Sequence, residues 1–386
     1  MTRILLRRLA SHGLLTVLAL ALLSAALLCP SAMARIYGTY PLNISVGPHG
    51  ELANGSSGGP AISGDNRKAR LAAFHSDASN LVGGDSNGVR DVFVWHRPHG
   101  RAGLRLNHLG AGSLKRASVS SHGVQANGAS QSAELDGSLK RSPHCVVFQS
   151  QATNLSPRDA SPDWDIYLRD LRRKKTRLLS AAATAPATTP TISGDCRRVA
   201  FESNGHIWTA STRTGRAHRG PLGGTPDFSL DGKAIAWQNG GTIELRRKGR
   251  TVAIDGGSNP QVSDATNRER GVTYDSGGQA MLAIVSAHGH VDRRPVTSGS
   301  SRATSISAFA PHRGIVTFIA GDSLYYLNRH TGNTDDLAHA YGPIGEGTAS
   351  ARANFAAFTA SGGDGFIGNT STSAVFFKHL VDGAKL

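Results

Sequence analysis

Short apolar runs ending in an aromatic residue recur along most of this chain, and that recurrence limits its fold more than any other feature. They are "LAAF" to Phe74, "CVVF" to Phe148, "RVAF" to Phe201, "AIAW" to Trp237, "GVTY" to Tyr274, "IVTF" to Phe318 and "FAAF" to Phe358. Successive ends lie 74, 53, 36, 37, 44 and 40 residues apart. Each run is four residues of strand-forming type bounded by Gly, Asp, Ser or Asn, without the 3.6-residue period of a helix. Strongly amphipathic helical segments are nearly absent after Ala34.

Further strand signals surround each run. Upstream stand "PAIS" at Pro60, "PTIS" at Pro190, "PDFS" at Pro226 and "PQVS" at Pro260; downstream stand "DVFV" at Asp91, "DIYL" at Asp165 and "AVFF" at Ala374. Four short strands in a unit of roughly 35 to 50 residues are the signature of propeller blades, in which radial repetition leaves few sheet edges exposed. The expected fold is all-β: a single β-propeller of four-stranded antiparallel blades, seven by strand count with six the alternative. The hairpin of the first blade is rewritten in the second, since "SDASNLVGGDSNGVRDVFV" from Ser76 and "SQATNLSPRDASPDWDIYL" from Ser150 align at an offset of 74.

A ring must close. "ISVGPHGELANGSS" from Ile44 matches "ASVSSHGVQANGAS" from Ala117 at eight of fourteen positions. The second copy is the outer strand and linker leaving the first blade, whereas the last blade reaches "AVFF" and ends without an outer strand. An N-terminal strand is therefore expected to close the ring, with residues 35–57 completing the last blade, because an unpaired edge is an aggregation liability. The stretches "PDFSLDGKAIAW", "PTISGDCRRVAFES" and "ATNLSPRDASPDWDIYLRDL" resemble TolB-type propeller repeats, relatives of WD-repeat blades. The resemblance covers nearly all of the chain after residue 34, with the fifth to seventh units degenerate. It implies a propeller, often six-bladed in that family. TolB also carries an N-terminal α/β domain for which this chain leaves no length, so its partners are not carried over.

The chain opens with Arg3, Arg7 and Arg8, the apolar run Leu14 to Leu28 and "SAMA" to Ala34. This pattern is a secretory signal, residues 1–34, and predicts a secreted or periplasmic protein without stable membrane insertion after cleavage. A lipoprotein anchor at Cys29 is disfavoured by Leu28 and Pro30, and a twin-arginine route by Ala10 and Ser11. Cleavage leaves 39 Lys and Arg against 27 Asp and Glu, a net charge of +12. Such a balance suits a protein partner or an anionic cell-envelope polymer. No basic run interleaved with aromatics points to nucleic acid, and "LRRKKTR" at Leu171 reads as a solvated hairpin turn. A monomer is expected.

No motif in valid context carries catalysis. "GSSGG" around Ser57 fits a nucleophile elbow, but lacks the strand before and the helix after. "GDGFIG" at Gly363 fits a dinucleotide loop, again without the helix. "HGH" at His288 lacks zinc spacing. "DSNGVRD" at Asp85 and "DASPDWD" at Asp159 bring side-chain oxygens close together, so calcium is the one cofactor left open, although an EF-type loop needs a Glu at position twelve. Cys145 and Cys196 are either a disulfide or two buried thiols. The long loops after the second strands of the first, second and last blades, through Asp85, Asn87, Asp159, Asp163 and Asp364, are the expected binding face. The functional expectation is a non-catalytic binding or scaffold module. The alternative is a propeller-fold lyase or hydrolase acting on an acidic polysaccharide at the central channel.

Overall fold

The computed structural model describes residues 41–65, 69–98, 112–159, 161–184, 186–264, 269–298, 301–302, 305–310, 314–320, 323–338, 344–350, 354–361 and 372–379. The expected signal segment, Asp364 and the "GDGFIG" stretch lie outside these residues. Among the described residues there are seven four-stranded antiparallel sheets and one two-stranded ribbon, Thr297–Ser298 with Ser301–Arg302. In chain order the sheets begin with inner strands Ser57–Ile62, Ser130–Leu135, Ala187–Ile192, Gly224–Phe228, Ser258–Val262, Ser305–Ala310 and Ile344–Ala349. Each inner strand packs beside the next, and the last beside the first, so the sheets surround one axis.

The recurring apolar runs are the second strands, and the aromatic that ends each run lies in the core. Phe74, Phe148, Phe201, Trp237, Tyr274, Phe318 and Phe358 are all buried. Phe74 sits opposite Phe93 and Phe148 opposite Tyr167 across the strand pair, with ring centroids 5.9 and 6.0 Å apart. Directly opposed aromatics are among the stronger cross-strand pairs. Separate apolar clusters fill each interface between neighbouring sheets. The alternation of the strands places one set of side chains against each neighbour.

The sheet completed by chain ends is the seventh. Leu42 pairs with Phe377 and Asn43 with Phe376, so Leu42–Asn43 is its outer strand. The local chemistry repeats that of complete blades. The amide of Val375 donates to Ser45 Oγ, as that of Val92 does to Ser118 Oγ and that of Ile166 to Ser180 Oγ. Ile44 and Phe377 join Phe74, Phe93 and Trp95 in the cluster between the seventh and first sheets. Of the expected segment the described residues place Leu42–Asn43 in the last sheet, whereas Leu52 and Asn54 are tied to the first blade's loop and Ser57 belongs to the inner strand of the first sheet.

The duplicated loop has a physical cause. Asn54 donates its side-chain amide to Ser79 Oγ and accepts from the amide of Ser79, while Asn80 accepts from the amide of Asn54 and donates to the Leu52 carbonyl. Asn127, Thr153, Asn154 and Gln125 make the same four bonds in the next blade. Each pair of asparagines thus ties the linker entering a blade to the loop after that blade's second strand. Linker amides have no sheet partner, so side chains supply one.

Candidate functional site

All seven pairings of inner with second strand carry a register shift. At five of them one residue has a positive φ: Gly59, Ser132, Thr189, Thr225 and Asn259. Pro follows at 60, 190, 226 and 260. Proline cannot donate to a ladder and is tolerated where a bulge removes the need, and a bulge re-aims the residues after it. Here those residues surround a cavity of about 550 Å³ on the ring axis.

Its described lining contains four carboxylates, Glu134, Asp227, Asp264 and Glu346, and no Lys, Arg or His. Glu134 and Asp227 occupy the same place in the second and fourth blades, with Thr191 between them in the third. Thr191 Oγ1 donates to Asp227 Oδ1 at 3.3 Å, and the amide of Val262 donates to Asp227 Oδ2. The amide of Ile192 donates to Glu134 Oε2 at 3.4 Å. Depth inside the ring strips both carboxylates of hydration, which raises Glu134 to about 7 and Asp227 well above the usual carboxylate range. Repulsion from Glu134 raises Asp227 further. Two carboxylates so placed resist being ionised together. Burial also raises Asp264 to about 6, despite a hydrogen bond from the Asp231 amide.

The two ends of the channel differ. Turns after the inner strands converge at one end: the Gly137 amide donates to the Gly194 carbonyl at 3.0 Å and the Gly194 amide to that of Leu230 at 3.1 Å. A Cβ on Gly194 would stand 2.2 Å from the Gly137 oxygen, and one on Gly64 would meet the Leu230 side chain at 2.7 Å. Only glycine allows these backbones to meet and floor the channel along blades one to four. The other end is the mouth. Ser57, Ser76 and Asp91 stand side by side there, so it opens on the face carrying the loops after the second strands. Glu346 is exposed at this mouth and accepts from the Gly59 amide at 2.6 Å.

The loop residues singled out from the sequence are engaged within the protein. Asp85 and Asp91 flank Arg116, whose guanidinium lies 2.9 and 3.4 Å from their carboxylates with all three side chains buried. A cation therefore already occupies the space that resembles a calcium loop in the first blade. Asn87 donates to Asp91 and to the Ala126 carbonyl. Asp159 accepts from Tyr167 Oη and from the Ser161 amide, and Asp163 is exposed. Ser57 is buried in a strand with its hydroxyl donating to Ser76 Oγ, and the hydroxyls of Ser130 and Ser150 share a hydrogen bond at 2.8 Å in the second blade. Cys145 and Cys196 form a disulfide between the second and third blades, Cα atoms 6.1 Å apart.

Sequence reading missed Glu134 and Asp227. Each stands one place past the Pro or Ala that follows the bulge, in "SAEL" and "PDFS", where the first, third and fifth blades have Ala61, Thr191 and Gln261. The signal was an acid in the inner-strand register, but only the closed ring brings residues 134 and 227 together.

Fold and channel define a β-propeller with an acidic central well. No protein-family model matches the chain, and no curated protein does. Among solved structures it is similar to a catalytically inactive form of virginiamycin B lyase from Staphylococcus aureus with quinupristin, at 10% identity and a TM-score of 0.51, covering 89% of this chain and 99% of that one. A weaker likeness, TM-score 0.43 at 11% identity, links 58% of this chain to 69% of an oligogalacturonate lyase in complex with manganese. At such identities the likeness establishes the propeller fold alone.

Proposed function

We propose that this chain is a binding module: a secreted or periplasmic, TolB-like propeller of seven blades, latched by its N-terminal strand and acting as a monomer. Its partner is a protein that docks over the channel mouth and inserts a cationic side chain. The observation that carries this reading is the channel lining, with four carboxylates and no described basic residue inside a chain of net charge +15. Low-dielectric walls lined by one sign of charge focus the field on an entering counter-ion. A Lys or Arg entering between Glu134 and Asp227 restores their ionised form and gains charge-assisted hydrogen bonds. The loops through Asp85 and Asp159, tied down by their own polar side chains, form a rigid rim for the rest of the partner. An anionic envelope polymer is accommodated by the basic exterior rather than by the well.

Calorimetric titration with a lysine-rich and a glutamate-rich peptide of equal length tests the reading. Binding is expected for the first, weakening at least tenfold in Glu134→Gln/Asp227→Asn. Undiminished binding in that double variant removes the channel from the account.

One observation favours the second reading, a propeller-fold hydrolase or lyase. A carboxyl held near pH 7 beside a second one is the arrangement of a general acid with its partner in glycoside cleavage. Four carboxylates disfavour an acidic polysaccharide in the same channel. Turnover of a uronic-acid polymer that disappears in Glu134→Gln decides for this alternative.

A further inference from the structure

The disulfide does not stand alone. Asp136, His144, Cys145 and Cys196 place one ligand-type atom each within 4.8 Å of one another, at the turn end of the second blade, and none of the four lines the channel. Asp136 is fully buried. Its Oδ1 accepts from the amides of His144 and Cys145 at 2.7 and 2.8 Å, which aims Oδ2 into the cluster. That Oδ2 forms an ion pair with Nδ1 of His144 at 3.0 Å, and neither atom has another partner.

The first blade supplies an internal comparison. There the residue in Asp136's place is Ser63, whose Oγ accepts from the Leu71 amide as Asp136 Oδ1 does from the Cys145 amide, and the arginine in His144's place, Arg70, pairs with Asp65. In the second blade His144 replaces this arginine and faces a carboxylate, Asp136, at a place where the first blade has a serine. A carboxylate oxygen, an imidazole nitrogen and two sulfurs converging on one point form the donor set of a tetrahedral divalent site.

We propose that the reduced chain binds one zinc ion through Asp136 Oδ2, His144 Nδ1, Cys145 Sγ and Cys196 Sγ, and that the disulfide and the metal exclude one another. A dithiol reductant converts the disulfide to two thiols and is itself oxidised to a disulfide. On metal binding the thiols ionise, two S–Zn bonds form and two protons pass to solvent. Tetrahedral ligation with Zn–S bonds near 2.3 Å separates two thiolate sulfurs by roughly 3.8 Å, so the sulfurs, about 2 Å apart in a disulfide, move apart by roughly 1.8 Å once reduced. His144 is 29% exposed and marks the route by which the ion enters.

The test uses the full chain after reduction by a phosphine, with cobalt(II) as spectroscopic probe and zinc in competition. One equivalent of cobalt should give a thiolate-to-metal charge-transfer band and the intense visible bands of tetrahedral cobalt, both abolished by zinc. The oxidised chain should give neither. His144→Ala, compared with the parent by circular dichroism because it leaves the buried Asp136 carboxylate without its partner, should weaken zinc binding at least tenfold. Zinc should also slow re-formation of the disulfide by a disulfide oxidant. A reduced, folded chain showing no charge-transfer band, or zinc affinity unchanged in His144→Ala, overturns the proposal.

Discussion

Replacing Ile44 by Ala tests whether the N-terminal segment is a structural part of the ring. Ile44 is 1% exposed and packs with Phe74, Trp95, Val375 and Phe377 between the seventh and first blades. Truncating a buried isoleucine to alanine costs about 2–5 kcal/mol through lost transfer energy and the cavity left behind. An unfolding entropy of roughly 2.1 cal/mol/K per residue, over a folded unit of about 350 residues, makes that a fall in melting temperature of about 3–7 °C. Ser45→Ala probes the same contact by a different route. It strands the buried Val375 amide, at about 1–3 kcal/mol. Scanning calorimetry at one scan rate compares both with Val124→Ala, a control 56% exposed that should stay within about 0.5 kcal/mol of the parent. If Ile44→Ala melts with the control, the segment does not hold the last blade and the closure argument fails.

Arg116→Leu leaves Asp85 and Asp91 buried without their cation, a loss of about 3–5 kcal/mol readable in urea unfolding; a smaller loss than Val124→Ala would show that the loop does not depend on this pairing. Glu134 titrates near 7 in the fold and near 4.5 when unfolded, so the folded chain holds the extra proton and stability falls as pH rises between those values. Glu134→Gln should flatten that fall, measured by melting temperature across the window, and an identical pH profile would contradict it. Cys145→Ala/Cys196→Ala opens a loop spanning 51 residues, worth roughly 4 kcal/mol by loop-closure entropy, to be checked by denaturant unfolding against the oxidised parent.

Fold class was legible in the sequence because each second strand, such as "CVVF" or "AIAW", is fully enclosed between neighbouring blades and so must be apolar along its whole length. The repeat of Ser45 and Asn54 in Ser118 and Asn127 was likewise readable, because equivalent linkers must satisfy equivalent backbone amides. What those polar residues do was not readable: Asp85 and Asp159 look like ligands in one dimension and turn inward to Arg116 and Tyr167 in three. The site itself belongs to tertiary structure. Glu134 and Asp227 are far apart in the chain, as are Asp136 and Cys196, and no local pattern marks either pair. Ring closure brings inner strands of different blades onto one axis, where desolvation and like-charge repulsion act on Asp227 beside Glu134, and it brings Asp136 within reach of Cys196. Local sequence determines which residues must be buried in each blade, while the ring determines which buried groups meet.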